Sequence, residues 1–430
     1  MKHGYKKSVL DNGLKVVSCN MPDRQSLSLG IWIKAGGRFE AAANKGISHF
    51  LEHLLFKGTK KYSCRQIKES IEGRGGALNA FTSEEITCYL VKLPAVYLDL
   101  ALDVLSDMVL YPALPAEEVE KERTVILEEI KMYKDLPQSY VYELLDELLW
   151  PGQPLGMSIA GTLDSVAGIK REEISSFRES HYTAQNMIIS AAGLPEHEEL
   201  VAKIKKIFSS SLKKEANKFI EAEERQSGPQ LKVLHKQTEQ SHLAIGFHSL
   251  KRDDPLRYAL GLLHVILGAN MSSRLFNEVR EKRGLAYEIG TQAKSFKDTG
   301  AFIVHAGTDN RKAGEAIEVI LHELKMTVRE LVSEDEFRRA KDFYLGQLAL
   351  SLEDTQDQML WIGESTLSLD RTYTLEETIE EVNQVTRQDL REVAGSIFKE
   401  ESLNLALIGP LADKEKELRS RMHLEGEAVK

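Results

Sequence analysis

Residues Leu27-Ser28-Leu29-Gly30-Ile31-Trp32-Ile33 alternate so that Leu27, Leu29, Ile31 and Ile33 fall on one side of an extended chain, which predicts a strand. A turn follows, and then a helical segment around His49 to His53. The second half repeats this layout. Leu243-Ala244-Ile245-Gly246-Phe247 predicts a strand, a shorter polar turn follows, and Pro255 to Leu267 reads as a helix. Aligning the two helices sets Leu260 opposite His49, Leu263 opposite Glu52 and His264 opposite His53, as expected of a duplicated domain. His264 then reads as a core or supporting histidine, because Leu260 and Leu267 share its helical face. A charged stretch from Lys213-Lys214-Glu215-Ala216-Asn217 through Gln226-Ser227-Gly228-Pro229 separates the copies. The expected division is residues 1–213, a linker at 214–229, and residues 230–430.

Two further helices follow from the same patterning. Pro115 to Lys134 has proline in the first turn, acids early and lysines late. A rotation of about 100° per residue puts Ile126, Ile130 and Tyr133 on one apolar face, with Glu122 and Glu129 among them and Glu128 turned toward water. The segment from Ser272 reads as a helix to about Arg283, stopped by Gly284, with Tyr287 on an extended stretch beyond. At the N-terminus, Asp11-Asn12-Gly13 marks a turn after a first strand.

A length of 430 residues supports two domains rather than one core. A composition of 42% hydrophobic and 28% charged residues is ordinary for a globular protein, and no apolar run predicts a membrane span. The N-terminus lacks the apolar core of a secretory signal, so a cytoplasmic location is expected. The net charge of −10 argues against nucleic-acid binding and permits a mild preference for basic peptides. Cys19, Cys64 and Cys88 have no C-x-x-C spacing and predict neither a structural zinc site nor a disulfide framework.

Chemistry concentrates in His49-Phe50-Leu51-Glu52-His53. Residues four apart share a helical face, so His49 and His53 can bind one cation. Glu52 can approach that cation without ligating it, as suits a base for metal-bound water. This is the H-x-x-E-H order, the reverse of H-E-x-x-H. The alternative is two polar residues on a half-buried helix beside a solvated glutamate, and a third ligand decides between them. Catalytic zinc sites use three protein ligands and leave a position for water, so a carboxylate or another histidine is expected. Two carboxylates within an apolar stripe are costly unless a charge compensates them. Glu129 is accordingly assigned as the third ligand and Glu122 as an auxiliary carboxylate behind the ligands. Otherwise the two are ordinary surface glutamates at the edge of the stripe.

Together these segments resemble the pitrilysin or insulinase superfamily of inverted-motif zinc peptidases, in its short, processing-peptidase-like branch. The match is carried by residues 46–59, GISHFLEHLLFKGT, residues 75–82, GGALNAFT, Glu122, and residues 125–130, VILEEI. The resemblance implies an α/β (α+β) fold of two homologous domains, each a mainly antiparallel sheet packed with helices, together forming half of a clamshell. It implies one zinc ion per chain, held by His49, His53 and Glu129, with Glu52 as base and Glu122 assisting. Peptides are expected to lie as an added strand near Asn79-Ala80-Phe81, and Arg280 and Tyr287 to bind the substrate carbonyl region from the second half. Without the resemblance, Arg280 reads as a solvated charge and Tyr287 as a core residue.

Long members of that family hold four such domains in one chain. With two, this chain is expected to pair as a homodimer, a heterodimer with a metal-free relative being the alternative. The expected activity is endopeptidase cleavage of short or unfolded peptides. A non-catalytic partner subunit, or a peptidase dedicated to maturing one precursor, is the competing reading.

Overall fold

The aliphatic runs form two sheets. In the first, β1 (Tyr5–Val9), β2 (Lys15–Asn20), β3 (Ser26–Ile33), β4 (Ala77–Thr82), β5 (Thr87–Pro94) and β6 (Met187–Gly193) lie in the order β1-β2-β6-β3-β5-β4. In the second, β7 (Gln230–His235), β8 (Gln240–Ser249), β9 (Ala286–Ser295), β10 (Gly300–Asp309) and β11 (Asn404–Gly409) lie in the order β7-β11-β8-β10-β9. Apart from the additional β1, the orders are the same. The one parallel pair also recurs in the same place, β2 with β6 and β7 with β11, and every other pair is antiparallel. The computed structural model describes residues 4–193, 196–209, 218–411 and 414–424, so residues 213–217 of the expected charged stretch lie outside the described residues.

The helices that bear on function are α1 (Ile47–Leu55), α2 (Ala116–Asp135), α3 (Pro137–Leu149), α4 (Arg257–Leu267) and α5 (Thr355–Leu369). Leu27, Leu29, Ile31 and Ile33 pack with Ile47, Phe50, Leu51 and Leu54 of α1 in one core. The opposite face of that sheet is also covered. Trp32, Val17, Cys88 and Leu90 pack against Met359 and Ile362 of α5. Ser28, a polar position of the alternating run, is buried there with its hydroxyl 3.0 Å from that of Thr355. In the second sheet, Leu243, Ile245 and Phe247 share a core with α4, while Ala244, Ile303, Ala406 and Ile408 pack on Val141, Leu144 and Leu145 of α3.

The chain therefore forms two compact units that are not contiguous in sequence. The first takes in the chain up to Lys131, Met157–Ile220 and Leu348–Leu375; the second takes in Met132–Gly156, Glu221–Gln347 and the chain from Glu376. The boundaries expected at 213 and 230 differ from these because α3 precedes the midpoint yet belongs to the second unit, and α5 follows it yet belongs to the first. Each sheet has two apolar faces, and a local helix covers only one of them. No helix among the described residues is long and apolar enough to cross a membrane.

Two local readings also change. Tyr133 does not extend the apolar face of α2: it is 38% exposed, and the buried positions are Val119, Glu122, Ile126 and Ile130. The helix before Gly284 is a π-helical segment over Phe276–Glu281, and Gly284 takes the positive φ of +57° that the stop requires.

Candidate metal centre

The start of α1 is fixed by a device outside the helix. Gly46 precedes it at φ +96°, where an added Cβ would fall 2.6 Å from the Ala160 carbonyl oxygen. The buried Glu40 carboxylate accepts hydrogen bonds from the backbone N–H groups of Gly46 at 2.9 Å and Ser48 at 2.7 Å. These donors would otherwise be unpaired, and the anion sits where the helix dipole favours it. Lys45 lies 3.5 Å from Glu40 and donates to the Gly37 carbonyl at 2.6 Å, which balances the buried charge. With the helix pinned and Ile47, Phe50, Leu51 and Leu54 buried, His49 and His53 share its half-open face.

Helix α2 brings Glu129 to that face. Nε2 of His49 lies 3.9 Å from Oε2 of Glu129, and Nε2 of His53 lies 3.7 Å from the same oxygen. The three residues each offer one ligand atom within 4.8 Å of the others. These separations are too long for hydrogen bonds. They are slightly wider than the roughly 3.4 Å between ligand atoms set tetrahedrally at bonds of about 2.0–2.1 Å. The donor set of two imidazoles and one carboxylate therefore fits a zinc ion, with only small closure of the three side chains.

The supporting contacts fix the chemistry of each candidate ligand. Nδ1 of His53 lies 3.1 Å from Oε2 of Glu122, so its N–H donates there and leaves the Nε2 lone pair facing Glu129. Oε1 of Glu122 meets the ammonium of Lys57 at 2.6 Å. The buried charge of Glu122 is thus balanced by Lys57 and receives a hydrogen bond from His53, whereas the sequence pattern pointed to a cation for both carboxylates. Burial, reinforced by the neighbouring His53, holds the His49 imidazolium down to a pKa of about 4, so the ring is neutral near pH 7. Its Nδ1 is buried without a hydrogen-bond partner among the described residues. Burial pushes the Glu52 carboxyl upward, opposed by a 2.6 Å hydrogen bond from the Thr82 hydroxyl to its Oε2. Glu128 points to solvent, with its side chain 66% exposed and paired to Lys131.

Asn79, Ala80 and Phe81 lie on β4, the edge strand of the first sheet, whose last residue is Thr82. Asn79 and Phe81 point outward and Ala80 inward, and β4 pairs only with β5, so one backbone edge is free among the described residues. In the second unit, Arg280 lies 5.6 Å over the ring of Tyr287 and 4.6 Å over that of Phe276. Arg280 is half-buried and Tyr287 is 75% exposed, so the structure brings these two together and does not place Tyr287 in a core. Sequence reasoning missed Glu40, Lys57 and Thr82. Thr82 was the most accessible of them, being adjacent to the Asn79-Ala80-Phe81 run.

Two family profiles match successive parts of the chain. The profile described as "Insulinase (Peptidase family M16)" matches residues 15–163, and that described as "Peptidase M16 inactive domain" matches residues 168–344. An uncharacterized zinc protease of Streptomyces coelicolor is 36% identical over 431 residues, covering 98% of this chain and 93% of that protein. The chain belongs to peptidase family M16. An uncharacterized zinc protease of Bacillus subtilis is also 36% identical, over 94% of this chain and 98% of its own. Among solved structures, a protease from Helicobacter pylori superposes with a TM-score of 0.90 at 24% identity, covering 95% of this chain and all of that one. A chain of Complex III2 from Candida albicans superposes at 0.85 with 20% identity, over 97% and 100%. These two likenesses show the fold alone. The M16 match at residues 15–163 includes every residue of the candidate metal centre, and the inactive-domain match includes α4, where the expected alignment of the two helices sets Leu260 and Leu263 opposite His49 and Glu52.

Proposed function

We propose that this M16 protein is a zinc-dependent endopeptidase that cleaves short or unfolded peptides. The observation that carries this reading is the convergence of His49, His53 and Glu129, with Glu52 beside them and Glu122 on the far nitrogen of His53. Those three residues would hold zinc, which when bound acts as a Lewis acid and lowers the pKa of a water toward about 7. Oε1 of Glu52 takes the proton of the attacking water and returns it to the leaving amine. Arg280 and Tyr287 donate to the substrate carbonyl oxygen as charge develops on it. The peptide adds as a strand to the free edge of β4 at Asn79-Ala80-Phe81, where backbone hydrogen bonds accept many sequences.

A non-catalytic partner subunit would not need an intact ligand set together with a base held by its own hydrogen bond. The chain acts as a homodimer in this proposal, and a single-chain mass for the active species in solution would remove that element of it. Metal analysis and cleavage of a quenched-peptide library test the enzyme reading, comparing the native chain with Glu52→Gln. The substitution should keep one zinc per chain and abolish turnover. Undiminished turnover in Glu52→Gln would sink the assignment of the base.

A further inference from the structure

We infer that Thr82 is a positioning residue for the base, tying Glu52 to the strand on which the peptide docks. The inference rests on the reading of Glu52 as the proton acceptor. The Thr82 hydroxyl donates to Oε2 of Glu52 at 2.6 Å, within the short range of a hydrogen bond to a carboxylate. Its other neighbour is the hydroxyl of Thr87, 3.5 Å away. The Thr87 proton is committed to the Ala35 carbonyl at 2.9 Å, so it does not compete for the Thr82 lone pairs. Thr82 is left with Glu52 as its acceptor. Oε2 is thereby engaged, while Oε1 has no hydrogen-bond partner among the described residues.

Two consequences follow from this geometry. The engaged oxygen reserves Oε1 as the one that receives the proton, so the carboxylate does not divide its time between two orientations. Thr82 is also the final residue of β4, immediately after Asn79-Ala80-Phe81, so the base is registered to the docking strand as well as to its own helix. A displacement of the base by about 1 Å relative to bound substrate would cost rate without costing binding.

The test replaces Thr82 with valine, which keeps the β-branch and removes the hydroxyl, and with serine, which keeps the hydroxyl. Thr82→Val should lower kcat on the order of 10- to 100-fold, the usual worth of a hydrogen bond to a charged group. KM and zinc content should stay at native values, and Thr82→Ser should recover most of the lost rate. A native kcat in Thr82→Val overturns the inference. So does a loss that appears in KM or in zinc content, or a serine variant as impaired as the valine one. Thr82→Ala carries the same test should the valine variant not accumulate as folded protein. Glu52→Gln separates the two levels: if it retains turnover the base assignment has failed, and if it is inactive while Thr82→Val is fully active only the role of Thr82 has failed.

Discussion

Glu122→Gln isolates the contribution of the group behind the ligands. Glu122 is 5% exposed and receives two donors, Nδ1 of His53 at 3.1 Å and Nζ of Lys57 at 2.6 Å. Glutamine preserves the shape but has one acceptor oxygen, so its NH2 group must face one of the two donors. The Lys57 side chain is 23% exposed, so water softens the loss of its partner, and the full cost of breaking a buried ion pair does not apply. A hydrogen bond to a charged group is worth about 1.5–3 kcal/mol, and about 2 kcal/mol of stability should be lost from the metal-free protein. His53 simultaneously loses the acceptor that orients its ring and raises its basicity, which typically costs roughly 10- to 100-fold in metal affinity. Competition between the protein and a chromogenic chelator, at neutral pH, measures that affinity directly. The expected order is native chain tightest, Glu122→Gln weaker by about one to two decades, and Glu129→Gln without measurable zinc, since it loses a ligand outright. With zinc in excess, Glu122→Gln should recover most of its turnover, because Glu52 and Thr82 are untouched. Unchanged affinity in Glu122→Gln would refute the claim that Glu122 tunes His53.

Acid should destabilise the chelated protein through His49. Its folded pKa of about 4 lies below the ordinary 6.5, so the unfolded chain binds more protons between those values, and stability present above pH 6.5 is lost as pH falls toward 4. That gap is worth about 3 kcal/mol at 1.36 kcal/mol per pH unit, and urea titrations of the chelated protein across the window should show a slope that flattens in His49→Gln. The same slope in both would exclude His49 as its source. On the opposite face of the first sheet, Gly363→Ala should cost about 1–3 kcal/mol by overpacking. An added Cβ would fall 2.3 Å from Nε1 of Trp32, which is buried and donates to the Ser190 hydroxyl at 2.7 Å. A denaturation midpoint equal to that of the native chain would contradict the packing of α5 on β3.

How much of this was legible in the sequence depended on whether the partners were local. His49, Glu52 and His53 were readable because helical geometry alone sets their relation. Glu129 followed from rotation along α2, since its place in an apolar stripe marked it. The duplicated strand and helix patterns were visible too, and the two sheets repeat one strand order. Helix exchange was not legible, because the amphipathic patterns of α3 and α5 show that each buries a face without naming the sheet that receives it. The same limit hid Lys57 behind Glu122 and Glu40 beneath the start of α1: each is an ordinary charged residue in the sequence, and only tertiary structure supplies its partner. Tyr133 failed for a related reason, since periodicity assigns a face of α2 but not the point along the helix at which that face leaves the core.

In both units an edge-strand threonine meets the helix packed on the sheet, at different positions of that helix. In the first, an edge-strand threonine, Thr82 on β4, holds Glu52 of α1. In the second, Thr291 lies on β9, which occupies the same place in the strand order, and its hydroxyl is 2.7 Å from Nδ1 of His264 on α4. A threonine bridge from edge strand to helix is therefore common to both copies and cannot by itself specify catalysis. What differs is the helical face beside it. Leu260 and Leu263 are buried in the second unit, and burial lowers the pKa of His264 by disfavouring its charged form. In the first unit the same face carries His49, Glu52 and His53, left half-open, and among the described residues the metal-competent cluster occurs only there. Leucines at those positions convert the site into core at a gain of about 1.5–3 kcal/mol for each side chain fully buried. Keeping polar groups in their place forfeits that gain. Polar groups retained on this face in one unit are what the proposed metal centre requires, at the expense of the burial that the other unit has taken.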